Sequence, residues 1–408
     1  MVQGVGGAVG GIARSVVFGD GENDGDVDDG GAELLLERIA DGVLAADRRA
    51  AAIELRDVVQ RVPAAQFAVG AMGLPTLVGS LRDERDDPEL MHGVLEALTA
   101  CVTAGGLPNT AVANVLSSSG RTPQPAAPDI GLSVAESFAS APSNCDLVLS
   151  LLDDDDFYTR YHAVQLLTAL AGKAAHHVRV AVLSSPTGVA KLMDMMLERE
   201  VIRNETLLLL VLLTSQSEDL RKIVAFEGAF ERCFNIVREE GASDGGIIVR
   251  DCLELCSNLL RGSSSNQSFF RESGFLARLP ETIASKTPAA SSSNPPTPLA
   301  TQKAANLLCA LELATALIAD GDTREAAQIR AVSKNGVDAT VAAEIETRDA
   351  SAKKHNRELN QQGLLKAGML QALLKLCLGD KGTALGLSPN PDDCLPILVL
   401  RRDVLPLP

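Results

Sequence analysis

Gly188-Val-Ala-Lys-Leu-Met193, Gly228-Ala-Phe-Glu-Arg-Cys-Phe234 and Gly274-Phe-Leu-Ala-Arg-Leu279 share one pattern. Each opens on a glycine, continues with one or two apolar residues and runs into an apolar stripe at helical spacing. Gly73-Leu-Pro-Thr-Leu-Val78 and Gly368-Met-Leu-Gln-Ala-Leu-Leu374 repeat it. Five residues past each glycine stand Val78, Met193, Cys233, Leu279 and Leu373, all apolar. Eight past stand Leu81, Met196, Ile236, Thr282 and Leu376, where Thr282 is the exception. The glycine supplies a left-handed or tightly packed backbone at a turn between helices.

The steps between these glycines are 115, 40, 46 and 94 residues. The middle two match the period of about 40–47 residues of armadillo and HEAT repeats. A weaker start at Asn144 falls in the longest step, and a helix over Thr301–Ala319 falls in the last. Between the marks lie apolar helices. Residues 206–214, TLLLLVLLT, are apolar all round and suit a helix sandwiched between neighbours. Residues 247–260 are amphipathic, with Ile248, Cys252, Leu255 and Leu259 on one face. Such units bury their apolar faces only by stacking, so the expected fold is all-α, an armadillo-like helical repeat solenoid with a long groove.

Composition agrees. Apolar residues make up 46% of the 408, aromatic residues 3%, with no Trp, whereas strands draw on aromatic and β-branched side chains. The net charge of −16 opposes binding to nucleic acid or to anionic lipid and leaves basic protein surfaces as partners. Cys101, Cys252, Cys256, Cys309 and Cys377 lie in apolar helical runs and read as reduced core thiols. The first residues lack a signal-peptide core, and no uninterrupted apolar run is long enough for a bilayer, so a cytoplasmic protein is expected. The domain reading is a Gly-rich and acidic lead-in over 1–32, a repeat body over 33–378 and an irregular tail over 379–408. Ser/Pro-rich loops at 117–142 and 284–298 and a polar insertion at 320–362 interrupt the body.

Candidate chemistry is sparse. Asp20, Glu22, Asp24, Asp26 and Asp28 have calcium-loop spacing, but position twelve is Gly31 rather than a bidentate Glu, so a solvated acidic segment is the better reading. Asp153–Asp156 precede a helix expected from Phe157 and read as its cap. Cys252 and Cys256 lack further zinc ligands at suitable spacing. His176 and His177 form a pair at a helix end. Phosphate-loop, nucleophile-elbow and zinc-protease motifs are missing from the sequence, so no enzyme and no cofactor are expected. Asn204 and Asn258 are placed to hold backbone at repeat junctions, Asp244 to cap the following helix, and Phe226, Phe230, Phe269 and Phe270 to anchor the core. A phenylalanine patch for a partner is the sharper alternative.

Residues 184–279 resemble the armadillo-type head of the vesicle-docking, or transcytosis-associated, tethering factors of ER-to-Golgi transport. The similarity is carried by Glu200-Val-Ile-Arg-Asn204, Ile223-Val-Ala-Phe-Glu227, Glu240-Gly-Ala-Ser-Asp-Gly-Gly246 and Ser265-Asn-Gln-Ser-Phe-Phe270. Weaker similarity covers most of 33–378. The resemblance implies a vesicle-tethering scaffold peripherally associated with Golgi membrane and transport vesicles. Its implied partners are a Rab-type small GTPase, SNARE proteins and Golgi matrix coiled-coil proteins, with membrane association through those partners. Homodimers form in this family through a coiled coil after the head; this chain shows no sustained heptads. The matching blocks imply partner contacts at Arg203, Asn204, Glu227, Asp244, Asn266 and Gln267. The alternative is a generic armadillo adaptor, such as a transport receptor or chaperone cofactor.

Overall fold

A computed structural model describes residues 31–104, 129–283, 301–318 and 339–378. Among these residues every regular element is helical, and none is a strand. The acidic segment before Gly31, the 284–298 loop, the 379–408 tail and Cys377's side chain lie outside the described residues. The chain divides into two compact units, residues 1–213 and 214–408.

The first unit carries α1 (Ala32–Asp41), α2 (Ala45–Arg61), α3 (Pro63–Ala68), α4 (Leu74–Asp83), α5 (Pro88–Thr103), α6 (Ile130–Ala139), α7 (Pro142–Ser150), α8 (Phe157–Ser184), α9 (Gly188–Met195) and α10 (Glu200–Thr214). Helix α2 packs on α5, and α5 on α8, forming a ladder. Its seam is apolar: Leu55 and Val59 of α2, Leu95 and Leu98 of α5, and Leu166 and Leu170 of α8 are buried. Ion pairs cross the rungs one repeat apart. Arg49 holds Asp87 at 2.9 Å and Glu89 at 2.7 Å, Arg56 holds Glu96, and Arg160 holds Glu198 at 3.0 Å. The segment Pro63–Asp83 is apolar and long enough to cross a membrane by length and composition, contrary to the sequence reading, but 56% of its apolar window is buried in this unit.

The second unit carries α11 (Glu218–Phe226), α12 (Ala229–Glu239), α13 (Ile247–Leu260), α14 (Ser264–Glu272), α15 (Arg278–Ile283), α16 (Thr301–Ile318), α17 (Ala339–Lys366) and α18 (Met369–Leu378). Here α13 packs on α16 as the central pair, with α11 and α12 against α13. Gly228 and Gly274, each opening the turn into the next helix, have φ of 86° and 80°, which only glycine adopts without strain. Gly188 works differently: a Cβ there would lie 2.5 Å from the Val182 carbonyl oxygen, so the requirement is close approach.

The junctions in this unit are tied by buried polar side chains reaching helix-end carbonyls. Arg221, 5% exposed, donates to the carbonyls of Thr214, Ser215 and Arg261 at 2.9, 3.1 and 3.0 Å. Asn266 donates to Leu259 at 2.8 Å and Arg221 at 3.1 Å, and Gln267 to Leu260 and Ala316 at 3.1 Å each. Asn306 reaches Gly245 at 2.8 Å, and Asn360 reaches Leu317 at 2.9 Å.

Several sequence expectations need correction. The proposed loop over 117–142 is helical from Ile130 to Ala139, with Val134, Ala135 and Phe138 buried; residues before 129 lie outside the described set. Its Ala- and Ser-rich composition hid an apolar face made mostly of small residues, with Phe138 near the helix's C-terminal end as the large buried member. The polar insertion over 320–362 is α17 from Ala339 onward, a helix whose polar Asn356 and Asn360 are buried. The helix from Phe157 extends past Ala171 to Ser184, with a kink at Ala174 (φ −121°, ψ 44°) just before His176 and His177. Residues 206–214 are mostly buried, but Leu208 is exposed.

Phe138→Ala is therefore expected to lower the unfolding free energy by about 3–5 kcal/mol, read from urea denaturation. Leu209, fully buried, makes the complementary test. Leu209→Asp places an unpaired charge in the stack and should abolish cooperative unfolding as followed by circular dichroism.

Candidate functional site

Six of the ten phenylalanines meet in one cluster of the second unit: Phe226, Phe230, Phe234, Phe269, Phe270 and Phe275. The Gly228 turn folds α12 back beside α11, and the Gly274 turn does the same after α14, so rings from two successive repeats converge. Phe230 and Phe270 are fully buried with ring centroids 4.9 Å apart in an edge-to-face contact. Phe226 is instead 70% exposed and stacks on Phe269 at 5.3 Å. The expectation of four core anchors thus holds for Phe230 and Phe270 and fails for Phe226, because the last turn of α11 turns it outward beside Ile223, also exposed. Behind the stack lies a cleft of about 310 Å³ lined by Phe230, Phe269 and Phe275 with Gly228, Glu231 and Arg278.

A second, polar cleft of about 350 Å³ opens on the α2–α5–α8 ladder, lined by Arg56, Gln60, Glu96, Thr99, His162 and Gln165. His162 places Nε2 3.3 Å from Glu96 Oε1 and Nδ1 3.0 Å from Gln165 Oε1, and burial pushes its imidazole below the ordinary range. His92 Nε2 lies 2.6 Å from Asp156 Oδ2. Asp156 also accepts from the Thr159 amide at 2.7 Å, as the cap reading requires. This arrangement offers many hydrogen-bonding groups but no nucleophile beside a base, so it is suited to binding.

On α13, burial raises the Asp251 carboxyl above its ordinary range against the opposing pull of Arg250. Burial pushes the thiol of Cys101 up to about 12 and that of Cys309 to about 11, so these are neutral packing groups. Cys252 and Cys256 are buried in the core. Among the described residues no group of three His, Cys, Asp or Glu is placed to hold a metal ion.

The six residues expected to contact partners do not form one site. Arg203 Nε donates to Asn204 Oδ1 at 3.1 Å on α10, both partly exposed. Glu227 is exposed, next in sequence to Phe226 and to Gly228 of the phenylalanine cleft. Asp244 does not cap α13, whose cap is Gly246; its carboxylate meets Lys303 Nζ at 2.5 Å. Asn266 is 1% exposed, and Gln267, half-buried, is held by Leu260, Ala316 and Asn356, so both serve as junction ties. Arg221, Asn306 and Asn360 share that role and were missed; the available signal was a polar residue interrupting an apolar helical face.

No family model matches the chain. Sequence comparison finds golgin candidate 6 of Arabidopsis thaliana, 43% identical over 239 residues, which are 59% of this chain and 24% of that protein. General vesicular transport factor p115 of Homo sapiens is 38% identical over 60% of this chain and 24% of its own length. The Saccharomyces cerevisiae intracellular protein transport protein USO1 is 29% identical over 60% of this chain and 14% of its length. The matches thus span about a quarter or less of these relatives. By name these relatives are a golgin, a general vesicular transport factor and an intracellular protein transport protein, in line with the resemblance. The crystal structure of Uso1-1 superposes with a TM-score of 0.67 at 24% identity, covering 92% of this chain and 52% of that one. A computationally designed armadillo repeat protein reaches 0.50 at 13% identity over 69% of this chain and 98% of its own. These likenesses concern the fold, an all-α armadillo-like helical repeat.

Glu205 supplies a pH test of the first unit. Burial holds its carboxyl above the ordinary glutamate value of 4.5. Between that value and the raised one the folded chain binds the extra proton, so stability falls as pH rises through the window. Glu205→Gln should raise the melting temperature at pH 7, with the difference closing as pH falls below 4.5.

Proposed function

We propose that the chain is a tethering head: a helical-repeat scaffold that binds trafficking proteins on transport vesicles and Golgi membrane in ER-to-Golgi or intra-Golgi transport. The observation that supports it most is the 43% identity to golgin candidate 6, together with a helical-repeat fold. The mechanism is non-covalent. A scaffold that holds a vesicle near an acceptor membrane raises the local concentration of fusion proteins by linkage alone. Nothing in either cleft requires a cofactor for that task.

The partners in this reading are a Rab-type GTPase, SNARE proteins and Golgi matrix coiled-coil proteins, and the membrane is reached through them. Its location is the cytoplasmic face of Golgi membrane and vesicles. The exposed or half-buried members of the sequence set, Arg203, Asn204, Glu227, Asp244 and Gln267, remain the contact residues of this reading; Asn266 is withdrawn by its burial. The acidic balance of the chain favours basic partner surfaces and disfavours direct adhesion to anionic lipid.

A pull-down from cytosol with the full chain, run in parallel with GTP-locked and GDP-locked Rab-type GTPases, tests the proposal. GTP-dependent capture of a Rab protein or recovery of Golgi SNAREs is the expected result. Robust recovery of unrelated partners, with neither of these, would reduce the chain to a general armadillo adaptor.

A further inference from the structure

We propose that the phenylalanine-walled cleft on α11, α12 and α14 takes one bulky apolar side chain from a partner protein, in a segment carrying a basic residue on one flank and an acidic residue on the other. This rests on the reading of the chain as a binding scaffold and names the chemistry of one of its contacts.

The cleft, about 310 Å³, falls within the size of ordinary ligand sites, roughly 300–1,000 Å³, and holds a single aromatic or leucine side chain. Phe230, Phe269 and Phe275 line it, and the Phe226 ring stands over Phe269 with most of its surface in water. Fixed rings around a hollow form the kind of pocket into which a partner's anchor residue inserts. Phe226 stands at the outer edge of the cluster, whose buried centre is formed by Phe230 and Phe270.

The charges around the hollow define the anchor's flanks. Glu231 lines the cleft from the first turn of α12, and Glu227 lies between the lining residues Ala225 and Gly228 in sequence. Both are exposed, and neither takes part in a salt bridge among the described residues. Arg278, which also lines the cleft at the start of α15, is likewise outside the ion pairs of the described residues. A carboxylate and a guanidinium on the lining of one cleft complement a base and an acid on either side of an apolar residue. Phosphate-rich ligands are repelled by the same carboxylates, which leaves a protein segment as the occupant.

The full chain contains no Trp, so the emission of a Trp-anchored peptide can be followed without background. The probe is acetyl-Lys-Ala-Trp-Leu-Ala-Glu-amide, with a second peptide in which Glu replaces Lys. Saturable blue-shifted indole emission is expected on titration with the full chain. The all-acidic peptide should bind about fivefold more weakly, as expected for loss of a partly exposed ion pair. Phe226→Ala should weaken the first peptide about tenfold, consistent with loss of an aromatic contact. Glu231→Lys should reverse the preference between the two peptides. Both substitutions are at exposed positions, and far-UV circular dichroism checks that the helices are retained.

Unshifted emission at saturating protein would overturn the proposal, as would equal affinity of the wild type, Phe226→Ala and Glu231→Lys proteins for the first peptide. Self-association that Phe226→Ala abolishes, read by sedimentation, would also overturn it by making a second copy the occupant. GTPase capture that persists when the peptide fails to bind would leave the tethering reading intact and remove only the cleft assignment.

Discussion

A helix that stops inside a stack of helices leaves carbonyl groups that water cannot reach, and the second unit depends on side chains that reach them. Arg221, Asn266 and Gln267 each donate to a carbonyl seven residues back, at Thr214, Leu259 and Leu260. Arg221 and Gln267 also reach forward, 40 and 49 residues, to Arg261 and Ala316. One side chain thus closes the helix before its own and binds the end of the corresponding helix in the next repeat. Each buried carbonyl left without a donor would cost about 1–3 kcal/mol, so these few residues set the register of the junctions more firmly than apolar packing alone.

The ties continue into α17. Gln267 accepts from Asn356 at 2.9 Å, Arg271 donates to Asn356 and Asn360 at 2.6 Å each, and Asn360 donates to Leu317. A helix that looks polar in sequence is therefore held by its polar residues and not in spite of them. The first unit has ties of the same kind, as where buried Gln66 donates to the carbonyls of Cys101 at 2.7 Å and Ala104 at 3.2 Å, and adds ion pairs at its surface. Arginines of α2 meet acids on or just before α5, and such partly exposed pairs each contribute only about 0–1 kcal/mol. Its stability rests on the apolar seam, while the ion pairs act against slippage between rungs. The two units share a fold and a junction device, and the first adds ion pairs across its rungs.

The repeat was legible because its marks are backbone requirements. Gly228 and Gly274 sit at left-handed turns that other residues enter only under strain, and the apolar stripe follows each at the expected spacing. The helix at Ile130–Ala139 was not legible, since small residues and neighbouring prolines mimic a linker when Gly131, Ala135 and Ala139 share the buried face with only two larger side chains, Val134 and Phe138. The candidate site was legible in part. The blocks containing Phe226, Glu227, Phe269 and Phe270 do converge at the cleft, but a sequence cannot separate a polar residue that faces a partner from one that ties two helices. Asn266 and Glu227 both interrupt apolar patterns; one is buried against carbonyls and the other is in water. Distinguishing them requires knowing where the neighbouring helix ends.

Aromatic scarcity sharpens the meaning of the phenylalanine cluster. A chain that builds its cores from Leu, Val and Ala, with no Trp, has little structural need to gather six rings in one place. Phe230, Phe234 and Phe270 are buried and account for the packing between α12 and α14. Phe226 joins that packing only through its stack on Phe269, and a ring 70% exposed beside the exposed Ile223 is a liability for an isolated protein, because adjoining apolar surface promotes association. The same arrangement is an advantage for a scaffold. Its anchor ring is already in place before a partner arrives, so little conformational entropy is lost on contact, and the free carboxylates around it reject partners of the wrong charge.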